Sequence, residues 1–116
     1  MAKLDRTITG IDIDALAKHI IEGITSGSIS ASFEDETRFR YGDVSCIVLV
    51  FERYSMIGSN RVSLNVALFG SPNQVQVAAI TSGGSQALLW KVNTFGEGAF
   101  LDKLDNVLSQ LDPATE

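Results

Sequence analysis

Histidine and cysteine occur once each in this 116-residue chain, as His19 and Cys46, and proline only twice, as Pro72 and Pro113. A single cysteine closes no disulfide within the chain, and one cysteine with one histidine cannot supply the ligand set of a structural zinc site. A Ser-His-acid or Cys-His catalytic arrangement would have to use His19, which the helical pattern described below places on a polar, solvated face. Cys46 lies inside an apolar run and reads as a small buried hydrophobe. Positive charge is scarce too: nine Lys and Arg stand against fourteen Asp and Glu, for a net charge of −5. With no basic cluster to neutralise a phosphate backbone, nucleic acid is not expected as a partner. The longest apolar run, Cys46 to Phe51, falls far short of the roughly 20 residues of a membrane span, so no membrane partner is expected either. The opening MAKLDRTITG carries charges where a secretion signal has its apolar core, which points to the cytoplasm. No linker, repeat or low-complexity tract divides the chain, so residues 1–116 are expected to form one domain.

The hydrophobic residues, 45% of the chain, are ordered by period. Lys3 to Ile8 suits a short first strand. Ile13, Leu16, Ala17, Ile20, Ile21 and Ile24 then recur at the spacing of one helical stripe. Asp12 is placed to cap that helix, Asp14 suits the positive end of its dipole, and Gly27 is placed to stop it. From Ser28 the period becomes two, with polar residues at the even positions through Arg40 and apolar ones at Ile29, Ala31, Phe33, Phe39 and Tyr41. Glu34, Asp35 and Glu36 read there as a charged edge that deters strand addition. Val44 to Tyr54, Arg61 to Gly70 and Gln74 to Ser82 follow as strands, separated by turn residues at Gly42-Asp43 and at Gly70 to Asn73 and by a loop from Ser55 to Asn60. At the tip of that loop, Met56 and Ile57 are expected to fold back or to meet a partner. Phe100, Leu101, Leu104, Val107, Leu108 and Leu111 form a second stripe, ended by Pro113. Thr94 and Glu97 have capping-box spacing ahead of it, while Gly96 and Gly98 push the start of the helix towards Ala99. Gln86 to Val92 reads as one more strand or as an irregular crossing.

The resulting order, β-α-β-β-β-β-(β)-α, predicts an α+β domain: an antiparallel sheet of five to six strands with two helices on one face. It resembles the TATA-binding-protein-like curved sheet or, alternatively, the helix-grip folds, a likeness of architecture that carries no DNA-binding function. If Tyr54 opposes Arg61 and Phe69 opposes Gln74, the face with Ile47, Leu49, Phe51, Leu64, Val66 and Val77 lies under the helices. The other face then carries Cys46, Val48, Val50, Ala67, Phe69 and Ile80 among Ser63, Asn65, Gln74 and Gln76. Its middle is too apolar for a solvated face, so it is expected to bury itself against a second copy, a ligand or its own curled edge. Val48, Val50, Ala67, Phe69 and Ile80 are therefore the candidate interface of a homo-oligomer, in the first place a dimer. For the strand ending at Tyr41 to agree, its odd residues must point at the helices, which requires a three-residue or bulged connection around Gly42.

Four of the ten glycines and the only tryptophan fall between Thr81 and Phe100, where strands give way to the last helix and a site is expected. Ser82-Gly83-Gly84-Ser85 can present a nest of backbone amides to an anion, with Arg53 or Arg61 supplying charge and Gln86 beside it. A small molecule or an anion is thus the alternative occupant. The same glycines serve equally as a tight turn and the arginines as partners of nearby acids, and neither GxGxxG nor GxxxxGK[ST] occurs. No general base has a physical reason for a shifted pKa, so a non-enzymatic module without metal or cofactor is expected.

The segments ERYS (Glu52 to Ser55), NRVSLN (Asn60 to Asn65), AITSGGSQA (Ala79 to Ala87) and NTFGE (Asn93 to Glu97) resemble a family of small bacterial proteins, chiefly from firmicutes, known as a domain of unknown function. The resemblance spans nearly the whole chain. It implies a stand-alone, single-domain cytoplasmic protein and carries no functional residue to any position.

Overall fold

The computed structural model describes residues 2–26, 31–55, 60–83 and 90–111. In chain order these form β1 (Ala2–Thr9), α1 (Ile13–Thr25), β2 (Ala31–Tyr41), β3 (Val44–Ser55), β4 (Asn60–Ser71), β5 (Gln74–Gly83) and α2 (Trp90–Ser109). The strands make one sheet in the order β1-β5-β4-β3-β2, and every neighbouring pair is antiparallel. The class is α+β, as the alternation of periods predicts. Because β1 and β2 are the two edges, α1 connects them by crossing one face of the sheet.

That face holds the core. Leu16, Ile20 and Ile24 of α1 and Phe100, Leu104 and Leu108 of α2 cluster with Leu49, Phe51, Leu64, Val66 and Val77 of the central strands. Removing each such side chain from water contributes about 1.5–3 kcal/mol, offset in large part by the entropy of ordering it.

The caps of α1 differ in origin. At its start the Asp12 carboxylate accepts hydrogen bonds from the Asp14 and Ala15 amides at 3.0 and 3.3 Å. Asp12→Ala is expected to lower unfolding stability by about 1 kcal/mol, read as a fall in urea midpoint; an unchanged midpoint would mean water replaces the cap at no cost. At the other end, Ser26 is the C-cap in an extended conformation, and Lys103 of α2 donates to the carbonyls of Ile24 at 2.9 Å and Ser26 at 2.7 Å. A lysine from the other helix thus satisfies carbonyls at the end of α1; Gly27, expected to stop it, lies outside the described residues. The Lys103 ammonium is held below the usual lysine pKa, first by burial and then by the nearby charge of Arg53.

The two helices meet along one flank of the α1 stripe. A side chain at Gly23 would lie 2.7 Å from a methyl of Val107, and one turn earlier the His19 Nε2–H donates to the Val107 carbonyl at 3.0 Å. His19 is therefore half-buried, contrary to the solvated position expected from the wheel. The pattern of α1 alone does not say on which flank α2 will lie.

Three further expectations change. Tyr41 pairs with Val44 across a strict two-residue turn at Gly42-Asp43, with Gly42 at φ 62°; primed turns of this kind match the twist of the strands they join. The odd residues Phe39 and Tyr41 consequently face away from the helices, and the extra residue that restores the expected parity is a bulge between Phe33 and Asp35. Only before that bulge do odd residues point at the core, where the Phe33 ring centroid lies 5.5 Å from that of Phe51.

Secondly, Ser71 rather than Phe69 opposes Gln74: the observed pairs are Ser71 with Gln74 and Phe69 with Gln76. The slip is two residues, so the faces stay as expected. Thirdly, α2 begins at Trp90, not near Ala99, which excludes a strand over Trp90 to Val92 and puts Thr94 and Glu97 inside the helix instead of at its cap. Once the stripe from Phe100 onward is docked, each residue added to the helix gains a hydrogen bond without the cost of nucleation, which outweighs two glycines. Gln86 to Leu89 and the Met56-Ile57 tip lie outside the described residues.

Candidate functional site

The uncovered face of the sheet is built of rungs, each a row of cross-strand partners whose side chains share that face. One rung runs Phe39, Cys46, Phe69, Gln76 and Thr7; the next runs Thr37, Val48, Ala67, Ala78 and Asp5; the third runs Asp35, Val50, Asn65, Ile80 and Lys3. Beyond them lie the polar rungs of Ser32, Glu52, Ser63 and Ser82, and of Tyr54 and Arg61. The five residues expected to form an interface, Val48, Val50, Ala67, Phe69 and Ile80, are therefore neighbours on one surface.

This surface is more apolar than the pattern alone indicates, because the two-residue hairpin adds Phe39 and Tyr41 to it. Their fractional exposures are 61% and 90%, with Phe69 at 55% and Ile80 at 45%. Exposing these four large apolar side chains together on one sheet face is unusual for a surface that meets only water. Over the hairpin end, a depression of about 370 Å³ is lined by Phe39, Tyr41, Val44, Ser45, Cys46 and Phe69. Cys46 is a half-buried free thiol lining it, not the buried residue expected. The signal that places Phe39 and Tyr41 here is the Gly-Asp pair between Tyr41 and Val44, a two-residue hairpin signature.

The polar end is internally satisfied. Ser63 and Ser82 hydroxyls are 3.1 Å apart, Asn65 donates to the Ile80 carbonyl at 3.3 Å, and Arg61 donates to Glu52 at 2.7 Å. An exposed ion pair of this sort contributes little stability.

Arg53 and Arg61, both expected near an anion, lie on opposite faces: Arg53 pairs with Ala31 and Val62 on the helix side, while Arg61 pairs with Tyr54 on the open side. One terminal nitrogen of Arg53 is buried without a hydrogen-bond partner among the described residues. Ser82 shares the open face with Arg61. At Gly83 the backbone takes φ 121°, and a Cβ there would stand 2.6 Å from the Arg61 carbonyl oxygen, so this glycine is required by close strand approach. Gly84, Ser85 and Gln86 lie outside the described residues.

On the helix side of the β2 edge, Arg38 is shared between Glu36, at 2.7 Å, and Asp14; these hydrogen bonds, Glu36 first, raise its pKa further. A hollow of about 320 Å³ beside it is lined also by Arg40 and Ser45. Among the described residues no three His, Cys, Asp or Glu side chains converge to hold a metal ion, and no helix is long and apolar enough to cross a membrane.

The architecture defines a small α+β domain with one helix-covered and one open sheet face. The chain belongs to a family described as a family of unknown function (DUF6054), the match spanning residues 1–112. No curated protein and no solved structure matches it.

Proposed function

We propose that this protein is a non-enzymatic module that associates with a second copy of itself through the open sheet face. The observation that carries this reading is the joint exposure of Phe39, Tyr41, Phe69 and Ile80 on one face of the sheet. Four rungs of a five-stranded sheet cover roughly 650 Å² at ordinary strand spacing, so two copies would bury about 1,300 Å² in total. That falls in the range of stable, specific interfaces. The β2 edge offers a poorer route: it is bulged and carries Glu34, Asp35, Glu36, Arg38 and Arg40, which discourage strand addition. The free cysteine and the acidic balance of the chain favour a reducing, cytoplasmic setting without nucleic acid.

Light scattering on the purified protein at micromolar concentration should give twice the 12.5 kDa chain mass. Phe69→Asp, which places a carboxylate in the contact, should weaken association by about a hundredfold while leaving the circular dichroism spectrum intact. A monomer at every concentration, or a dimer indifferent to Phe69→Asp, overturns the reading.

A further inference from the structure

Resting on that reading, we propose that the two copies meet about a two-fold axis running across the strands, between the rung of Phe69 and the rung of Ala67. Close packing sets bulky side chains over small ones, because facing bulk leaves gaps elsewhere. The Phe69 rung is large at Phe39 and Phe69, and its neighbour is small at Thr37, Val48, Ala67 and Ala78. An axis between them lays Phe69 of one copy over Ala67 of the other and Phe39 over Thr37, and the same contacts recur in reverse, as an isologous interface demands.

On the two edge strands acidic residues find partners in the same register, while on β5 Gln76 lies over Ala78 and Gln74 over Ile80. Asp5 comes over the Thr7 hydroxyl, which would turn to it from Gln76 Oε1, its acceptor at 3.3 Å within one copy, and Asp35 comes over the phenol of Tyr41. Glu52, Ser63, Ser82 and Arg61 stay outside the overlap and keep their solvated hydrogen bonds. Two rival placements fail on these points. An axis along the strands through β4 sets Phe69 on Phe69 and Ala67 on Ala67, and it carries the Glu52 and Arg61 rungs into the contact. An axis one rung further along, between Ala67 and Asn65, brings Cys46 over Glu52 and buries that carboxylate against an apolar strand.

The register fixes distances. With rungs about 6.8 Å apart and facing sheets about 10 Å apart, each Thr7 Cα lies roughly 12 Å from its mate and each Lys3 Cα roughly 23 Å from its own. On the other edge Thr37 and Asp35 give the same two values. Thr7→Cys, Lys3→Cys, Thr37→Cys and Asp35→Cys, each with Cys46→Ala, would be treated with a bismaleimide of about 8 Å spacer, with light scattering on the same samples.

The Thr7→Cys and Thr37→Cys proteins should form covalent dimers at least about tenfold faster than the Lys3→Cys and Asp35→Cys proteins. A dimer by light scattering that links equally at all four positions, or faster at Lys3→Cys and Asp35→Cys, overturns the register and leaves self-association standing. A monomer by light scattering overturns both. The two edges lie on separate strands, so a folding failure in one variant leaves the other pair to decide.

Discussion

Phe51→Ala lowers the unfolding free energy by about 3–5 kcal/mol, the cost of truncating a fully enclosed aromatic side chain. Phe51 has no exposed surface, sits in the middle strand region between Phe33 and Leu64, and stacks its ring at a tilt of 49° against Phe33. The cavity left in its place would be closed by β-sheet on one side and packed helices on the other, so the surroundings cannot collapse into it easily. Against a total stability of roughly 5–15 kcal/mol for a domain, such a loss is a large fraction. In urea the midpoint should fall by about 1–3 M. A shift below about 0.3 M would mean that Phe51 is not enclosed as described.

Gly83→Ala is the second substitution with a large expected effect, and it separates two meanings of the same glycine. The backbone there has φ 121°, and the new methyl would meet the Arg61 carbonyl oxygen at 2.6 Å. Neither obstacle is a side chain that can swing away. Strain of this dihedral and the clash together cost about 2–4 kcal/mol, which corresponds to a fall in Tm on the order of 10 °C for a domain of this size. Gly10 supplies the comparison: its φ is 79° but nothing lies within 4 Å of a Cβ built on it, so Gly10→Ala should cost only about 1 kcal/mol. Equal Tm changes for the two variants would remove the structural account of Gly83 and return it to the amide nest read from its sequence.

The central strands were legible because their information is local and redundant. Alternation along Val62 to Leu68 and Val75 to Ala79 assigns a face to each residue there, the apolar run from Cys46 to Phe51 takes its faces from the pairing of Tyr54 with Arg61, and a slip of two in the last hairpin leaves those faces unchanged. The hairpin at Gly42-Asp43 was harder to read because parity there depends on where one extra residue is inserted. Its position, between Phe33 and Asp35, is set by the fit of the strand to β3 and is not marked by glycine or proline. The consequence falls on the site: Phe39 and Tyr41 move from the expected core face to the open one. His19 and Lys103 illustrate the same limit for the helices, since each finds its partner on an element more than 70 residues away in sequence.

By itself the amino-acid sequence determined the class, the two helical stripes, the three central strands with their faces, and the apolar character of the surface holding Val48, Ala67, Phe69 and Ile80. These follow from periods of 3.6 and 2 that any short window displays. Only the tertiary structure decided the bulge in β2, the flank on which α1 meets α2, and the start of α2. Each of those depends on which non-local surfaces come into contact, and a contact between distant segments is chosen by the fit of whole faces, which no single window contains.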